Sequence, residues 1–114
     1  MFEDKIIIIT GGLKGIGRGL TEYFARLGST VYAFGRSLPE DHETFFSTAP
    51  FKDHVKFIEA DVSNFDSVKI AVDTVIKDAG KIDVLVNNAG ITKDNLTMRM
   101  SEADWDQVID INLK

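Results

Sequence analysis

"TGGLKGIGRG", residues Thr10–Gly19, follows directly on the run Lys5-Ile6-Ile7-Ile8-Ile9 and places five glycines in nine positions. Glycine inside a regular element costs about 0.5–1 kcal/mol relative to alanine, so a cluster this dense marks a turn with unusual dihedrals or a bare backbone against which a ligand lies. The β-branched run before it reads as a strand covered on both faces. After it, Ile16, Leu20, Tyr23, Phe24 and Leu27 recur at helical spacing, and Gly28 stands where a helix C-terminal glycine belongs. The stretch is therefore a strand, a glycine loop and a helix. At such a junction the first amides of the helix and its positive dipole end face outward, a natural seat for an anion.

Further along, Thr30–Phe34 reads as strand two. An irregular stretch with Pro39 and Pro50, holding one short helix, leads to strand three at Val55–Ala60. Phe65, Val68, Ala71, Val72, Val75, Ile76 and Ala79 form a helical stripe, opened by Ser63 or Asn64 and closed by Gly80; Ile82–Val86 is strand four. Ser101 with Asp104 makes a weak capping box, after which Trp105, Val108, Ile109 and Asn112 share one face of an expected last helix. The alternation of strands and helices predicts an α/β doubly wound parallel sheet with right-handed crossovers, and residues 1–114 form one domain.

Composition narrows the function. The net charge of −5 and the scattering of the 13 basic residues argue against a nucleic-acid partner, so any bound anion must be met locally. There is no cysteine, hence no disulfide framework and no thiolate zinc site, and no metal is expected. Met1 leads into a strand rather than a signal peptide, and no apolar stretch approaches the roughly eighteen residues of a membrane span. The expected location is the cytoplasm.

The glycines are spaced G-x-x-x-G-x-G (Gly11, Gly15, Gly17), not G-x-G-x-x-G. On residue chemistry alone a tight turn without a ligand stays open. Thr10-Gly11-x-x-x-Gly15-Ile16-Gly17, however, resembles the T-G-x-x-x-G-I-G motif of the short-chain dehydrogenase/reductase family. Three further matches follow in order: Asp61-Val62 after strand three, Asn87-Asn88-Ala89-Gly90 after strand four, and Asn112 in "INLK". The resemblance covers the whole chain, and residues 87–114 are most similar to the 3-oxoacyl-acyl-carrier-protein reductases of that family.

The resemblance implies a Rossmann-type sheet limited to strands one to four in the order 3-2-1-4, binding a dinucleotide. Thr10, Gly11, Gly15, Ile16 and Gly17 would cradle its phosphates and adjoining ribose. Asp61 and Val62 would meet the adenine, and Asn88, Ala89 and Gly90 would line the wall beside the riboses. Local chemistry offers alternatives: Asp61 caps the helix beginning near Ser63, and the asparagines satisfy turn backbone. An NAD-type fingerprint places an acid about 20 residues beyond the glycines, on the ribose 2′-hydroxyl. Here strand two ends Phe34-Gly35-Arg36-Ser37, with a guanidinium in place of the acid, and Lys14 precedes Gly15. Both suit a 2′-phosphate, so NADP(H) is the expected cofactor. Asn112 lies on the apolar stripe of the expected last helix, and the family's matching asparagine supports the catalytic lysine through an ordered water.

The family's catalytic serine and Tyr-x-x-x-Lys pair find no match. The two tyrosines, Tyr23 and Tyr32, are followed four residues later by Leu27 and Arg36. The chain is therefore expected to be the NADP(H)-binding half of a carbonyl reductase acting on 3-oxoacyl thioesters, inactive alone. A non-catalytic nucleotide-binding or self-assembling half-domain is the alternative. A phosphoacceptor receiver domain matches in length and in Asp61, but Thr10, Gly11 and Gly12 supply no carboxylate for magnesium. An unpaired edge on strand four and the apolar face of the last helix predict a homo-oligomer.

Overall fold

The computed structural model describes residues 2–87, together with the backbone of 95–100 and 107–112. The chain runs β1 (Ile6–Thr10), α1 (Gly15–Arg26), β2 (Thr30–Gly35), α2 (His42–Ser47), α3 (Phe51–His54), β3 (Val55–Glu59), α4 (Phe65–Ala79), β4 (Val84–Asn87), β5 (Asn95–Met100) and β6 (Gln107–Asn112). One sheet holds the strands in the order β3-β2-β1-β4-β5-β6. The first four are parallel, in the expected 3-2-1-4 order. That order places the strand reversal beside β1 and excludes the receiver arrangement, whose sheet runs 2-1-3-4-5.

Alternation along β1 divides the core into two layers. Ile7 and Ile9 pack with Phe24, Val31, Val84 and Val86 beneath α1, whereas Ile8 packs with Tyr32, Phe34, Ala71 and Val75 beneath α4. Ala33, Phe45, Phe51 and Val55 extend the α1 side under α2 and α3. Ile7, Ile8 and Ile9 are completely buried, which explains a strand with no polar alternation. The helix termini are local chemistry: Asn64 Oδ1 accepts from the Ser67 amide (3.1 Å) to open α4, and Gly80 closes it at φ 84°.

Helix α1 departs from its expected stripe. Its buried face is Gly17, Thr21, Phe24 and Ala25, while Ile16 and Tyr23 are half exposed. Close approach is the reason. A Cβ on Gly12 would stand 2.8 Å from Ala33 Cβ and 2.9 Å from Thr21 Oγ1, so the helix rests on the sheet through small residues and its larger ones fall to the flanks. Between β2 and β3 there are two short helices, α2 and α3, rather than one.

The expected last helix is corrected by β5 and β6. Residues 95–100 pair antiparallel with β4, matching Val84 to Met100 and Asn87 to Thr97, and residues 107–112 pair antiparallel with β5. Helical spacing of Trp105, Val108, Ile109 and Asn112 competes with β-branched Val108, Ile109 and Ile111, and with the alternation Asn95-Leu96-Thr97-Met98-Arg99-Met100. Pairing with β4 decides the contest, because it satisfies a row of backbone donors and acceptors that helix formation would leave open. β4 is thus an interior strand and no open edge exists there. Self-association through β4 and a last helix loses both its elements. The Ser101–Asp104 cap and Trp105 lie outside the described residues.

Candidate functional site

The glycine loop sits at the carboxyl ends of the parallel strands, where β1 and β4 are tied together by the Thr10 hydroxyl donating to Asn87 Oδ1 (3.2 Å). Gly11 turns away from the sheet at φ 65°, with its amide held by the Phe34 carbonyl (2.7 Å). Gly15 opens α1 at φ 53°, a conformation that strains any side chain, and an added Cβ there would meet nothing within 4 Å. The two glycine roles are therefore separate: Gly12 lets helix and sheet approach, and Gly15 presents bare backbone to open space.

Helix α1 begins without help from its own sequence. Lys14 at its N-cap offers no acceptor, no cap hydrogen bond forms among the described residues, and the first turn holds no acid. Its leading amides and dipole end are available to an external anion. Helix α4, beginning at the same end of the sheet, is capped by Asn64 and carries Asp66 in its first turn.

Beside the uncapped start lies an open cleft of about 640 Å³, lined by Gly11, Leu13, Lys14, Phe34, Gly35, Arg36, Ser37, Phe57, Ala60, Asp61, Val62 and Ser63. It brings together Gly11, Lys14, Arg36, Asp61 and Val62, five residues singled out by sequence, from three different strand ends. Lys14 and Arg36 are exposed, and neither forms an ion pair with a described residue. Asp61 does what the local alternative supposed: its Oδ1 accepts from the Ser63 hydroxyl (2.6 Å) and amide (3.0 Å). These bonds, with Arg36 nearby, hold its carboxyl below the usual carboxylate range. Its second oxygen forms none of the hydrogen bonds found among the described residues, so capping leaves part of Asp61 for a ligand. The Asp61 amide is itself fixed by Ser67 Oγ (2.9 Å).

The remaining expected residues fall elsewhere. Thr10 is buried beneath the loop, Ile16 is half exposed on α1, and Gly17 is buried against the sheet rather than facing the cleft. Asn88, Ala89 and Gly90 lie outside the described residues. Asn112 ends β6 opposite Asn95 instead of lying on a helix, so the argument that gave it a helical stripe fails: a strand repeats every two residues, not every 3.6. Leu13, Ser37, Phe57 and Ser63 line the cleft without having been singled out. For Ser37 the signal was its place directly after Arg36; for Phe57 it was the loss of strict apolar alternation along β3. Among the described residues no cluster of three or more His, Asp or Glu side chains could hold a metal, and no helix is long and apolar enough to cross a membrane.

Known proteins resemble this chain in sequence and in fold. The chain is 43% identical over 109 residues to the 3-oxoacyl-(acyl-carrier-protein) reductase FabG of Chlamydia pneumoniae, covering 96% of this chain and 44% of that protein. It is 43% identical over 113 residues to the Thermotoga maritima reductase of the same name, covering 98% and 46%. The chain thus spans about half the length of the curated relatives it matches. Among solved structures, the ligand-free aldohexose dehydrogenase of Thermoplasma acidophilum superposes with a TM-score of 0.65 at 40% identity, over 79% of this chain and 31% of that one. The Cj0485 dehydrogenase gives 0.71 at 34% identity, over 82% and 35%. The family model for short chain dehydrogenase matches residues 5–114, nearly the whole sequence, and the chain belongs to that family.

Proposed function

We propose that this chain is the NADP(H)-binding portion of an oxidoreductase that reduces the carbonyl of 3-oxoacyl thioesters. The observation that carries the reading is the cleft itself, where an uncapped helix start stands beside two exposed cations, Lys14 and Arg36, with no acid at the end of β2. A dinucleotide fits these groups. Its pyrophosphate would lie on the Gly11–Ile16 backbone and its 2′-phosphate between Lys14 and Arg36. Its adenine would meet the free oxygen of Asp61 and the backbone of Val62. The bound cofactor supplies hydride chemistry. The chain's own residues would hold the anion and choose between a 2′-phosphate and a 2′-hydroxyl. The substrate class comes from the similarity to FabG proteins.

Calorimetry with 2′,5′-ADP and 5′-AMP tests the reading without requiring a nicotinamide pocket. The expected result is tighter binding of 2′,5′-ADP by at least about tenfold, the value of one charge-assisted contact to phosphate. Equal affinities would remove the NADP(H) assignment.

A second reading, a nucleotide-binding module without turnover, is favoured by one observation. Tyr23 is exposed on α1, and Tyr32 donates its hydroxyl to Asp78, with burial first and that hydrogen bond second raising its pKa. Tyr32 is thereby held as a neutral donor to Asp78, and neither tyrosine lines the cleft. A polypeptide of these 114 residues is expected to bind NADPH without oxidising it in the presence of an acetoacetyl thioester. Turnover that survives every purification step would overturn that expectation.

A further inference from the structure

Arg18, one turn into α1, is committed to three partners. Its Nη1 and Nη2 donate to Asp41 Oδ1 (2.9 Å) and Oδ2 (2.7 Å), its Nε donates to Glu22 Oε2 (3.2 Å), and its guanidinium lies 4.8 Å from the centre of the Phe45 ring. Phe45 stacks on Phe51 at 4.7 Å and packs in the same cluster as Leu13, which forms part of the cleft wall. Asp41 stands at the N-cap of α2, where an aspartate ordinarily accepts from the helix amides. Here no such bond forms and both carboxylate oxygens face Arg18.

The pair joins α1 to the segment that follows β2, and residues preceding Arg18 and Asp41 on each, Lys14 and Arg36, line the cleft. α1 carries the glycine loop and Lys14. The segment 36–40, with Arg36 and Ser37, is held at its start by Gly35, whose carbonyl accepts from the Ala60 amide (2.9 Å), and at its end by Asp41. The side chains of Arg18 and Asp41 are 28% and 53% exposed, a setting in which an ion pair adds little to stability. A two-point fork with an aromatic ring against it does, however, fix relative position.

We propose that the Arg18–Asp41 pair is a positioning device that sets the spacing between Lys14 and Arg36, and so the preference for a 2′-phosphate. The inference rests on the NADP(H) reading above. The sign of the electrostatics makes it testable. Replacing Asp41 by alanine removes a negative charge from the neighbourhood, which by field alone would strengthen binding of a phosphate; a loss of position weakens it.

Binding of 2′,5′-ADP and 5′-AMP is measured by calorimetry for the unmodified chain, Asp41→Ala and Arg18→Lys, with thermal melting of each. The expected result is a loss of about three- to fivefold in 2′,5′-ADP affinity in both variants, with 5′-AMP affinity and melting temperature little changed. Arg18→Lys keeps the charge and loses the fork, so it reports geometry even if Asp41→Ala proves poorly folded. Unchanged or tighter 2′,5′-ADP binding in the folded variants would overturn the positioning role, as would equal weakening of both nucleotides. If the unmodified chain itself shows no preference for 2′,5′-ADP, the NADP(H) reading falls and this inference falls with it.

Discussion

The two ends of the parallel sheet carry the same kinds of ionisable group and treat them in opposite ways. At the amino ends, Asp83 is buried with its Oδ2 accepting from the Ile6 amide (2.8 Å) and from Lys81 Nζ (3.0 Å), and Asp78 accepts from both Tyr32 and Lys56. At the carboxyl ends, Lys14 and Arg36 stand exposed without an ion-pair partner among the described residues, beside an uncapped helix and a carboxylate with one oxygen to spare. Charges satisfied within the chain hold strands in register. Charges without an ion-pair partner line a concave surface, where the proposed cofactor would meet them. The contrast predicts that substitutions at one end change stability and those at the other change binding.

Asp83 offers the largest effect. Removing its carboxylate leaves the Ile6 amide at the β1–β4 junction without its side-chain acceptor and Lys81 without its ion pair. Asp83→Ala is therefore expected to cost about 1–3 kcal/mol in urea unfolding, the penalty for removing the acceptor of a part-buried backbone donor. Affinity for 2′,5′-ADP in the folded fraction should stay the same. An effect on binding rather than stability would break the division between the ends.

Arg36 is the counterpart. Arg36→Asp installs the acid suited to a free 2′-hydroxyl, and it should lower the preference for 2′,5′-ADP over 5′-AMP by about tenfold or more while shifting stability by no more than about 0.5 kcal/mol. A preference unchanged in calorimetry would mean that Lys14 alone recognises the phosphate, or that the cleft serves another anion.

Legibility in the sequence divides along a different line. β1 through β4 and their order could be read because runs such as Ile6–Ile9 admit one burial pattern, and because Asn64, Gly28 and Gly80 mark helix ends by local chemistry. Of the α1 stripe, Phe24 is buried and Leu20 packs on the core while Ile16 and Tyr23 stay half exposed, since spacing identifies apolar residues but cannot weigh the close approach that adds Gly17, Thr21 and Ala25 to the contact face. The stretch after β4 was misread for a related reason. Both periods were present in it, and only the pairing of β5 with β4, a contact between distant residues, selects one. In the cleft, Gly11, Lys14, Arg36, Asp61 and Val62 were legible through motif spacing. The Arg18–Asp41 pair joins residues 23 positions apart that belong to no motif, so no local pattern announces it.

The smallest effect sharpens the contrast by pH. Hydrogen bonds from Tyr32, first, and Lys56 hold the Asp78 carboxyl below the usual carboxylate range. A carboxyl depressed in the folded state stabilises the fold above its unfolded value, and that contribution fades as pH falls through the folded value; the chain should therefore lose melting temperature on acidification from about pH 5 downward. Asp61 and Asp41 act with the same sign at the other end of the sheet, through Ser63 and Arg18 respectively, so the total slope cannot be credited to one end. Tyr32→Phe separates them. It removes the principal donor to Asp78, lowers stability near neutral pH, and leaves Asp61 and Asp41 untouched. Below pH 4 the difference between variant and parent should shrink, because protonated Asp78 no longer gains from the lost bond. A difference that stays constant from pH 7 to pH 3 would mean that the Tyr32 hydroxyl does not act through the charge of Asp78, and that this satisfied charge does not hold the amino end of the sheet.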